Sequence, residues 1–312
     1  MRDLGLGGQP QRLLIGPAPL LRATRYEGQA GIEGCIFPML TAHCSLLTSK
    51  LPPMITKILE ISQSAGKAIL AHYGKEIPVD HKADDSPLTQ ADLAAHHLIL
   101  DALTALDPSI PVVSEEGELP DPGSLGKRFW LVDPLDGTKE FIQRRGSFTV
   151  NIALIENGVP VLGVVHAPAL EETYWASPEE GAWHQKKDQS PVAIQTGKVQ
   201  SPLRIVASRD HAGPEVTSLL QRFPDASCLS IGSSLKFCLI AAGDADAYLR
   251  DVPTMEWDTA AAHAIVNVAG ATLVNWPSLK PLEYGKTGWR NGSILTASSN
   301  DLAQRLLPAA KP

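Results

Sequence analysis

Two aspartates lie three positions apart in the segment DPLDGT, residues 133–138, directly after the apolar run 129–132. The apolar run predicts a short buried strand, and Pro134 is expected to end it because proline has no N–H to donate. Gly137 allows a backbone conformation that is closed to other residues. The turn is therefore expected to bring the carboxylates of Asp133 and Asp136 together with the carbonyl of Leu135. These are hard oxygen ligands, which Mg²⁺ prefers.

Thr138 adds a hydroxyl to the same turn, and its backbone N–H groups could face an anion. Asp-Pro and Asp-Gly pairs also form ordinary turns, so this segment alone leaves a purely structural turn open. The other acidic residues of the chain favour the chemical interpretation.

Three further carboxylates are predicted at the ends of other elements. Glu115 follows a predicted strand, residues 110–113, and neighbouring strands would deliver it to the sheet edge that carries the two aspartates. Asp258 begins a predicted helix, where an aspartate is also a routine N-cap. Asp92 lies three residues after Thr89, as in a capping box, which is an equally good structural explanation. Clustered carboxylates repel one another, so the set favours a site for two or three cations about 4 Å apart, as used in phosphoryl transfer.

The composition is ordinary for a soluble globular protein. The chain has 312 residues, 44% of them hydrophobic and 20% charged, and a net charge of −7, which argues against a nucleic-acid partner. No run approaches the roughly 20 apolar residues of a membrane span. The cysteines have no metal-binding spacing, which favours reduced thiols in a cytosolic protein; they are Cys35, Cys44, Cys228 and Cys238.

The order of predicted elements indicates layered sheets and helices. Residues 89–107 are predicted as a helix with four residues inward: Leu93, His97, Leu100 and Leu103. Strands with alternating polarity over residues 148–184 predict an antiparallel meander with a hairpin at Asn157-Gly158. After the polar stretch 185–201, strands and helices alternate. The expected fold class is therefore α/β, of the layered α+β kind, with helix and sheet layers alternating.

Three segments follow from these patterns. Residues 1–53 are rich in glycine and proline without a sustained period, so a poorly ordered tail is expected there. Residues 54–195 are predicted to form an α+β metal-binding subdomain. Residues 196–312 are predicted to form an α/β subdomain that completes the active site.

Three separated motifs resemble the inositol monophosphatase superfamily of lithium-sensitive, Mg²⁺-dependent phosphatases: Glu115-Glu116, DPLDGT at 133–138 and WDTAA at 257–261. The resemblance runs from about Met54 to the C-terminus and implies the sugar-phosphatase fold of that superfamily. Residues 86–92 (SPLTQAD), 139–141 (KEF) and 231–238 (IGSSLKFC) resemble its CysQ-type 3′(2′),5′-bisphosphate nucleotidase branch.

The resemblance implies a role for each acid. Glu115, Asp133 and the Leu135 carbonyl would hold one Mg²⁺ ion, and Asp133, Asp136 and Asp258 a second. Glu115, with Asp92 acting through water, would help a looser third ion. Thr138 paired with Asp92 would activate the nucleophilic water, and the N–H groups of Gly137 and Thr138 would cradle the phosphate.

The implied reaction is hydrolysis of the 3′-phosphate of adenosine 3′,5′-bisphosphate to AMP and phosphate, which clears a by-product of sulfate assimilation. Besides the metal-site residues, the substrate contacts are expected from Ser208, Arg209, Ser233 and Lys236, although solvated surface charge is the alternative for Arg209 and Lys236. The protein is expected to be a cytoplasmic monomer or homodimer. Peripheral attachment to the cytoplasmic side of the inner membrane is left open.

Three other functions compete with this one. An inositol or sugar phosphatase would use the same acids, but inositol enzymes more often have Asn than Glu140 before the Phe. A serine acyl-transfer enzyme is suggested by S-x-x-K at 233–236 and K-T-G at 286–288, but no S-D-N lies between them and the acids would be unused. A non-catalytic cation-binding module would need the acids but not Thr138.

Overall fold

The computed structural model describes residues 53–75, 80–81, 87–207 and 213–308. The predicted tail, residues 1–53, lies almost wholly outside this range. Seven α-helices occur in the described part of the chain: α1 Pro53–Leu70, α2 Gln90–Leu106, α3 Thr138–Ile142, α4 Pro214–Arg222, α5 Leu235–Ala241, α6 Trp257–Val268 and α7 Asn300–Leu306. A 3₁₀ turn spans Pro122–Ser124.

A seven-stranded sheet carries the first half of the fold, in the order β3-β4-β5-β6-β7-β8-β9. Its strands are β3 Val112–Ser114, β4 Arg128–Asp136, β5 Thr149–Glu156, β6 Val159–Ala167, β7 Glu172–Ser177, β8 Gly181–Lys186 and β9 Val192–Ala193. β3 runs parallel to β4, and every later pair is antiparallel. Asn157 and Gly158 both have positive φ, as the predicted hairpin between β5 and β6 requires.

A five-stranded sheet carries the second half, in the order β11-β10-β12-β16-β14. Its strands are β10 Arg204–Ala207, β11 Ser227–Ser230, β12 Ala247–Arg250, β14 Thr272–Asn275 and β16 Ile294–Ala297. β10, β11 and β12 are parallel, and β16 is antiparallel to both of its neighbours. Two short antiparallel pairs complete the set: β1 Asp80–His81 with β2 Pro87–Leu88, and β13 Thr254–Met255 with β15 Arg290–Asn291.

The side chains of each sheet divide between two apolar layers. On β4 and β5, even-numbered residues such as Trp130 and Ile152 pack with α1 and α2, whereas odd-numbered residues such as Leu131 and Ala153 pack with α5 and α6. One face of the second sheet joins the same α5/α6 layer, and its other face packs with α4 and α7. Five layers therefore alternate between helix and sheet, and the predicted layered fold class is confirmed.

The structure corrects two predictions. β4 does not end at Asp133 but continues through Pro134 to Asp136, because a β-bulge removes the need for a ladder donor at the proline. The inward face of α2 carries Ala91, Ala95, Ile99 and Leu103, whereas Leu93 and His97 are exposed. The small alanine side chains allow α2 to pack closely against the neighbouring layer. The spacing of the larger apolar residues did not reveal this packing.

The predicted boundary near residue 195 falls between β9 and β10, and the division into two subdomains stays a prediction. Within the described residues, no helix has the length and apolarity needed to cross a bilayer.

Candidate active site

The two aspartates of the DPLDGT segment lie on either side of the β4 bulge. Asp133 pairs with Asn151 and Asp136 pairs with Thr149, so the two intervening residues stand opposite a single residue of β5. Positions three apart on a regular strand would point to opposite faces of the sheet. Because the bulge absorbs one extra residue, Asp133 and Asp136 instead share the face that is covered by α5 and α6.

Glu115 reaches the same sheet edge from the parallel neighbour of β4. Its N–H donates to the carbonyl of Val132 at 3.1 Å, directly after the end of β3. One carboxylate oxygen each from Glu115, Asp133 and Asp258 lies within 4.8 Å of the others. The predicted convergence of strand ends is therefore present for Glu115 and Asp133, whereas the third member of this group is Asp258 and not Asp136. These three oxygens are close enough to share a cation.

Asp258 comes to this cluster from the first turn of α6. Glu256 occupies the N-cap position, so Asp258 is not the N-cap of the helix. Its Oδ2 accepts the N–H of Met255 at 2.9 Å. Burial and the nearby charges of Asp136 and Glu115 raise the pKa of Asp258 to about 8. A divalent cation would oppose this repulsion, so the set of acids fits a metal site.

Asp92 serves as a capping residue and as a partner of Thr138 at once. Its Oδ2 accepts the Thr89 N–H at 2.8 Å and the Thr89 hydroxyl at 2.6 Å, which completes the predicted capping box. Its Oδ1 lies 3.3 Å from the Thr138 hydroxyl. The structural and the chemical interpretation of Asp92 are therefore compatible, because they use different oxygens.

Gly137 has the backbone conformation that the sequence predicted for it. Its φ is +92°, and it forms the N-cap of the short helix α3. The structure therefore needs glycine there, and Thr138 becomes the first residue of α3. N–H groups in the first turn of a helix have no intrahelical partner, so those at Gly137 and Thr138 are available to an anion in the adjoining cavity.

Most of the predicted site residues line one cavity of about 160 Å³. The predicted residues that line it are Glu115, Asp133, Leu135, Asp136, Gly137, Thr138, Ser233, Lys236 and Asp258. Asp92 is not part of this lining and reaches the site through Thr138. Ser208 and Arg209 lie outside the described residues, so their predicted contacts with the substrate stay predictions.

Two cations face the acids across the cavity. Lys236 is only 7% exposed, so the alternative of a solvated surface charge is wrong. Burial lowers the pKa of Lys236 to about 8, against the opposing influence of Asp136. Its Nζ lies 5.5 Å from the centroid of the Tyr248 ring. Arg250 also lines the cavity, and its Nε has no hydrogen-bond partner among the described residues.

Sequence reasoning missed Tyr248 and Arg250. Both lie on β12, where the sequence AYLR ends a strand with an arginine. A charged residue at a strand end was the signal that identified Glu115, and the same signal was available for Arg250.

The chain belongs to the inositol monophosphatase family, whose model matches residues 51–311. The predicted family and its fold are thereby confirmed.

More specific similarities point to one branch of the family. The chain is 49% identical over 240 residues to the 3′(2′),5′-bisphosphate nucleotidase CysQ of Salmonella typhimurium, which covers 74% of this chain and 94% of that protein. It is 48% identical over 239 residues to the CysQ of Escherichia coli strain K12, with the same coverage. The crystal structure of CysQ from Bacteroides thetaiotaomicron is 37% identical, with a TM-score of 0.68 over 78% of this chain and 97% of that one.

Proposed function

We propose that this protein is a Mg²⁺-dependent 3′(2′),5′-bisphosphate nucleotidase that hydrolyses the 3′-phosphate of adenosine 3′,5′-bisphosphate to AMP and phosphate. The observation that carries the proposal is a single cavity lined by four carboxylates, the Thr138 hydroxyl and two cations, Lys236 and Arg250. The choice of substrate is supported by the CysQ enzymes that resemble this chain.

The acids of the cavity would hold two or three Mg²⁺ ions. The proposed ligands are the carboxylates of Glu115, Asp133, Asp136 and Asp258 and the carbonyl of Leu135. When bound, Mg²⁺ would lower the pKa of a water molecule and offset the charge of the phosphate. Burial, together with repulsion from Asp136 and Glu115, raises the pKa of Asp258, and this gives the cluster a physical reason to bind cations.

Thr138 and Asp92 would take up the proton of the attacking water. The Thr138 hydroxyl donates toward Asp92 Oδ1 at 3.3 Å, which leaves its lone pairs to accept from a water molecule. As the water attacks phosphorus, its proton would pass to the hydroxyl oxygen while the hydroxyl proton moves toward the carboxylate. The water would attack in line with the leaving 3′-oxygen, without a covalent bond between enzyme and substrate.

The cations and the helix α3 would bind the negative charge of the substrate. The N–H groups of Gly137 and Thr138 would hold the phosphate that is hydrolysed. Lys236, Arg250 and Ser233, which line the same cavity, would contact the second phosphate or the ribose. Lys236 is buried and Arg250 is partly buried, so both side chains lose little conformational freedom on binding. A role in sulfate assimilation, a cytoplasmic location and a monomeric or homodimeric state stay predictions.

Phosphate release tests the proposal directly. Adenosine 3′,5′-bisphosphate, adenosine 2′,5′-bisphosphate and inositol 1-phosphate are compared in parallel, with Mg²⁺ and then with EDTA. We expect release mainly from the 3′,5′-bisphosphate and its loss in EDTA. A preference for inositol 1-phosphate would keep the cation site and overturn the substrate. No release from any of the three by the folded protein with Mg²⁺ would favour the cation-binding module.

A further inference from the structure

A buried hydrogen-bond cluster joins the acids of β4 and α6 from behind the cavity. It consists of Asn151 on β5 and Ser234, the residue before α5, each 1% exposed. Neither side chain is among those that line the cavity. The cluster therefore lies behind the cavity lining and acts on the site through the acids that it contacts.

The distances connect three elements through one hydroxyl. Ser234 Oγ lies 2.8 Å from Asp136 Oδ2 and 2.8 Å from the main-chain carbonyl oxygen of Asp258. Asn151 Nδ2 donates to Ser234 Oγ at 2.9 Å and approaches the same Asp136 Oδ2 at 3.4 Å. The end of β4 and the first turn of α6 are thus tied to each other by side chains that lie 83 positions apart in the chain.

The donors and acceptors of the cluster define its orientation. The amide of Asn151 supplies two hydrogens, and the hydroxyl of Ser234 supplies one, which Asp136 Oδ2 and the Asp258 carbonyl oxygen share. A flipped amide would turn Oδ1 toward the Asp136 carboxylate, where two acceptors would repel each other, so Nδ2 faces the acid. The hydrogen bonds from Asn151 and Ser234 both end on Oδ2 of Asp136, so these two donors do not compete with a cation for Oδ1.

The presence of an amide at position 151 has an unfavourable consequence that packing does not explain. Its Oδ1 is buried without a hydrogen-bond partner among the described residues. A buried acceptor without a partner is unfavourable, and an apolar side chain at this position would avoid it. The hydrogen bonds that Nδ2 donates to Asp136 and Ser234 therefore explain an asparagine at this position better than a contribution to stability does.

We propose that Ser234 and Asn151 are positioning residues that hold the Asp136 carboxylate and the first turn of α6 in the arrangement that binds the divalent cation. This rests on the proposed function in one respect, since it takes Asp136 and Asp258 to be cation ligands. Partners that orient a ligating carboxylate by hydrogen bonds commonly govern metal affinity.

The test measures cation binding without substrate. Mn²⁺ is titrated calorimetrically into the full-length protein after treatment with EDTA and its removal. For Ser234→Ala we expect the dissociation constant of Mn²⁺ to rise about tenfold or more, as is usual when such a partner is lost. At saturating Mg²⁺, the KM for adenosine 3′,5′-bisphosphate should stay within about twofold, because neither residue lines the cavity.

Three variants separate positioning from folding. Ser234→Thr keeps a hydroxyl and should restore most of the affinity. Asn151→Leu has a similar size without the amide hydrogens, and combined with Ser234→Ala it should weaken binding by less than the product of the single effects. Ser298→Ala is the matched control, because Ser298 is 2% exposed and its hydroxyl has no partner among the described residues.

Unchanged Mn²⁺ affinity in a folded Ser234→Ala protein would overturn the proposal, as would a loss equal to that of Ser298→Ala. If Ser234→Ala does not fold, unchanged affinity in Asn151→Leu would overturn it equally. Absence of Mn²⁺ binding by the unmodified protein would overturn the proposed cation site itself, and the positioning role with it.

Discussion

Asp92 and Asp258 both lie in the first turn of a helix and both belong to the candidate active site, but the two helices hold them differently. Asp92 accepts two hydrogen bonds from Thr89, three residues away, and a third from Thr138. Asp258 accepts the N–H of Met255 but lies near Asp136 and Glu115, whose charges help raise its pKa. The charge of the first acid is stabilised mainly by donors close in sequence, whereas burial and the charges of distant acids destabilise the charge of the second.

The same contrast separates two parts of the site. The N-terminal side, residues 92–138, is arranged mostly by a capping box, a bulge and the ends of paired strands. The C-terminal side, residues 233–258, contains buried charges whose partners are distant in sequence, including Lys236 and Glu256. We therefore expect the N-terminal side to control the chemical step, and the C-terminal side to control substrate affinity and stability.

The largest effect is expected from Thr138→Ala on the N-terminal side. Loss of the hydroxyl removes the proposed proton acceptor, so kcat should fall by about 10²–10⁴-fold, while the affinity for Mn²⁺ stays unchanged. Steady-state phosphate release and calorimetry measure the two quantities. Thr138→Ser is the control and should recover most of kcat. A rise in KM with unchanged kcat would contradict the division between the two sides.

Lys236→Met is the corresponding change on the C-terminal side. Methionine retains the buried stem but removes the charge that faces the cavity, so KM should rise about 10–100-fold with a smaller change in kcat. The measurement is the same phosphate-release assay across substrate concentrations. Lys187→Met, at a lysine whose side chain is 65% exposed, is the control and should leave both constants unchanged. If kcat fell and KM did not, the two sides would not differ in the proposed way.

Lys286→Met tests the stability of the C-terminal side. The Glu256 carboxylate is fully buried, lies 2.6 Å from Lys286 Nζ and accepts the N–H groups of Gly285 and Lys286. Removing the cation leaves a buried charge, so the free energy of unfolding should fall by about 2 kcal/mol, less than for a fully buried pair because Lys286 is partly exposed. Urea unfolding measures the change.

The matched control for that experiment is Lys57→Met. Lys57 and Glu60 form a pair of 2.7 Å, but both side chains are more than half exposed. Its loss should change the free energy of unfolding by less than about 0.5 kcal/mol. Equal effects of the two variants would remove the distinction between a buried and an exposed ion pair.

The pH dependence of stability gives an effect of similar size that is spread over two pH units. Burial lowers the pKa of His263 on α6 to about 4, and a nearby Lys286 acts in the same direction. The unfolded chain therefore binds a proton below about pH 6.5 that the folded protein does not bind, so stability falls with decreasing pH. For His263 the loss between pH 7 and pH 5 should be about 2 kcal/mol.

Urea unfolding at the two pH values checks this expectation. In His263→Gln the decrease in the free energy of unfolding between pH 7 and pH 5 should be smaller by about 2 kcal/mol. His97→Gln, at an exposed histidine of α2, should leave that decrease unchanged. An unchanged pH dependence in His263→Gln would show that this histidine is not held neutral. His166 on β6 has a pKa that burial also lowers to about 4, so it provides the same test in the first sheet.

Sequence reasoning succeeded where a short segment specifies its own geometry. Thr89 and Asp92 form the predicted capping box, and Gly137 adopts the left-handed conformation expected of it. Sequence reasoning failed where tertiary packing determined which face of a helix is buried or where a strand ends. The apolar period placed Leu93 inward, but the buried face of α2 carries alanines. Pro134 suggested the end of β4, but the bulge lets the strand continue to Asp136.

The sequence by itself determined the acids, the short segment that carries two of them and the layered order of helices and sheets, because backbone restrictions and apolar periods act over a few residues. Only the tertiary structure decided that Lys236 and Arg250 face those acids, that Asn151 and Ser234 support them, and that the pKa of Asp258 is raised. These features depend on distances between side chains that are far apart in the chain, and the energy of such contacts arises only when the sheets and helices are packed together.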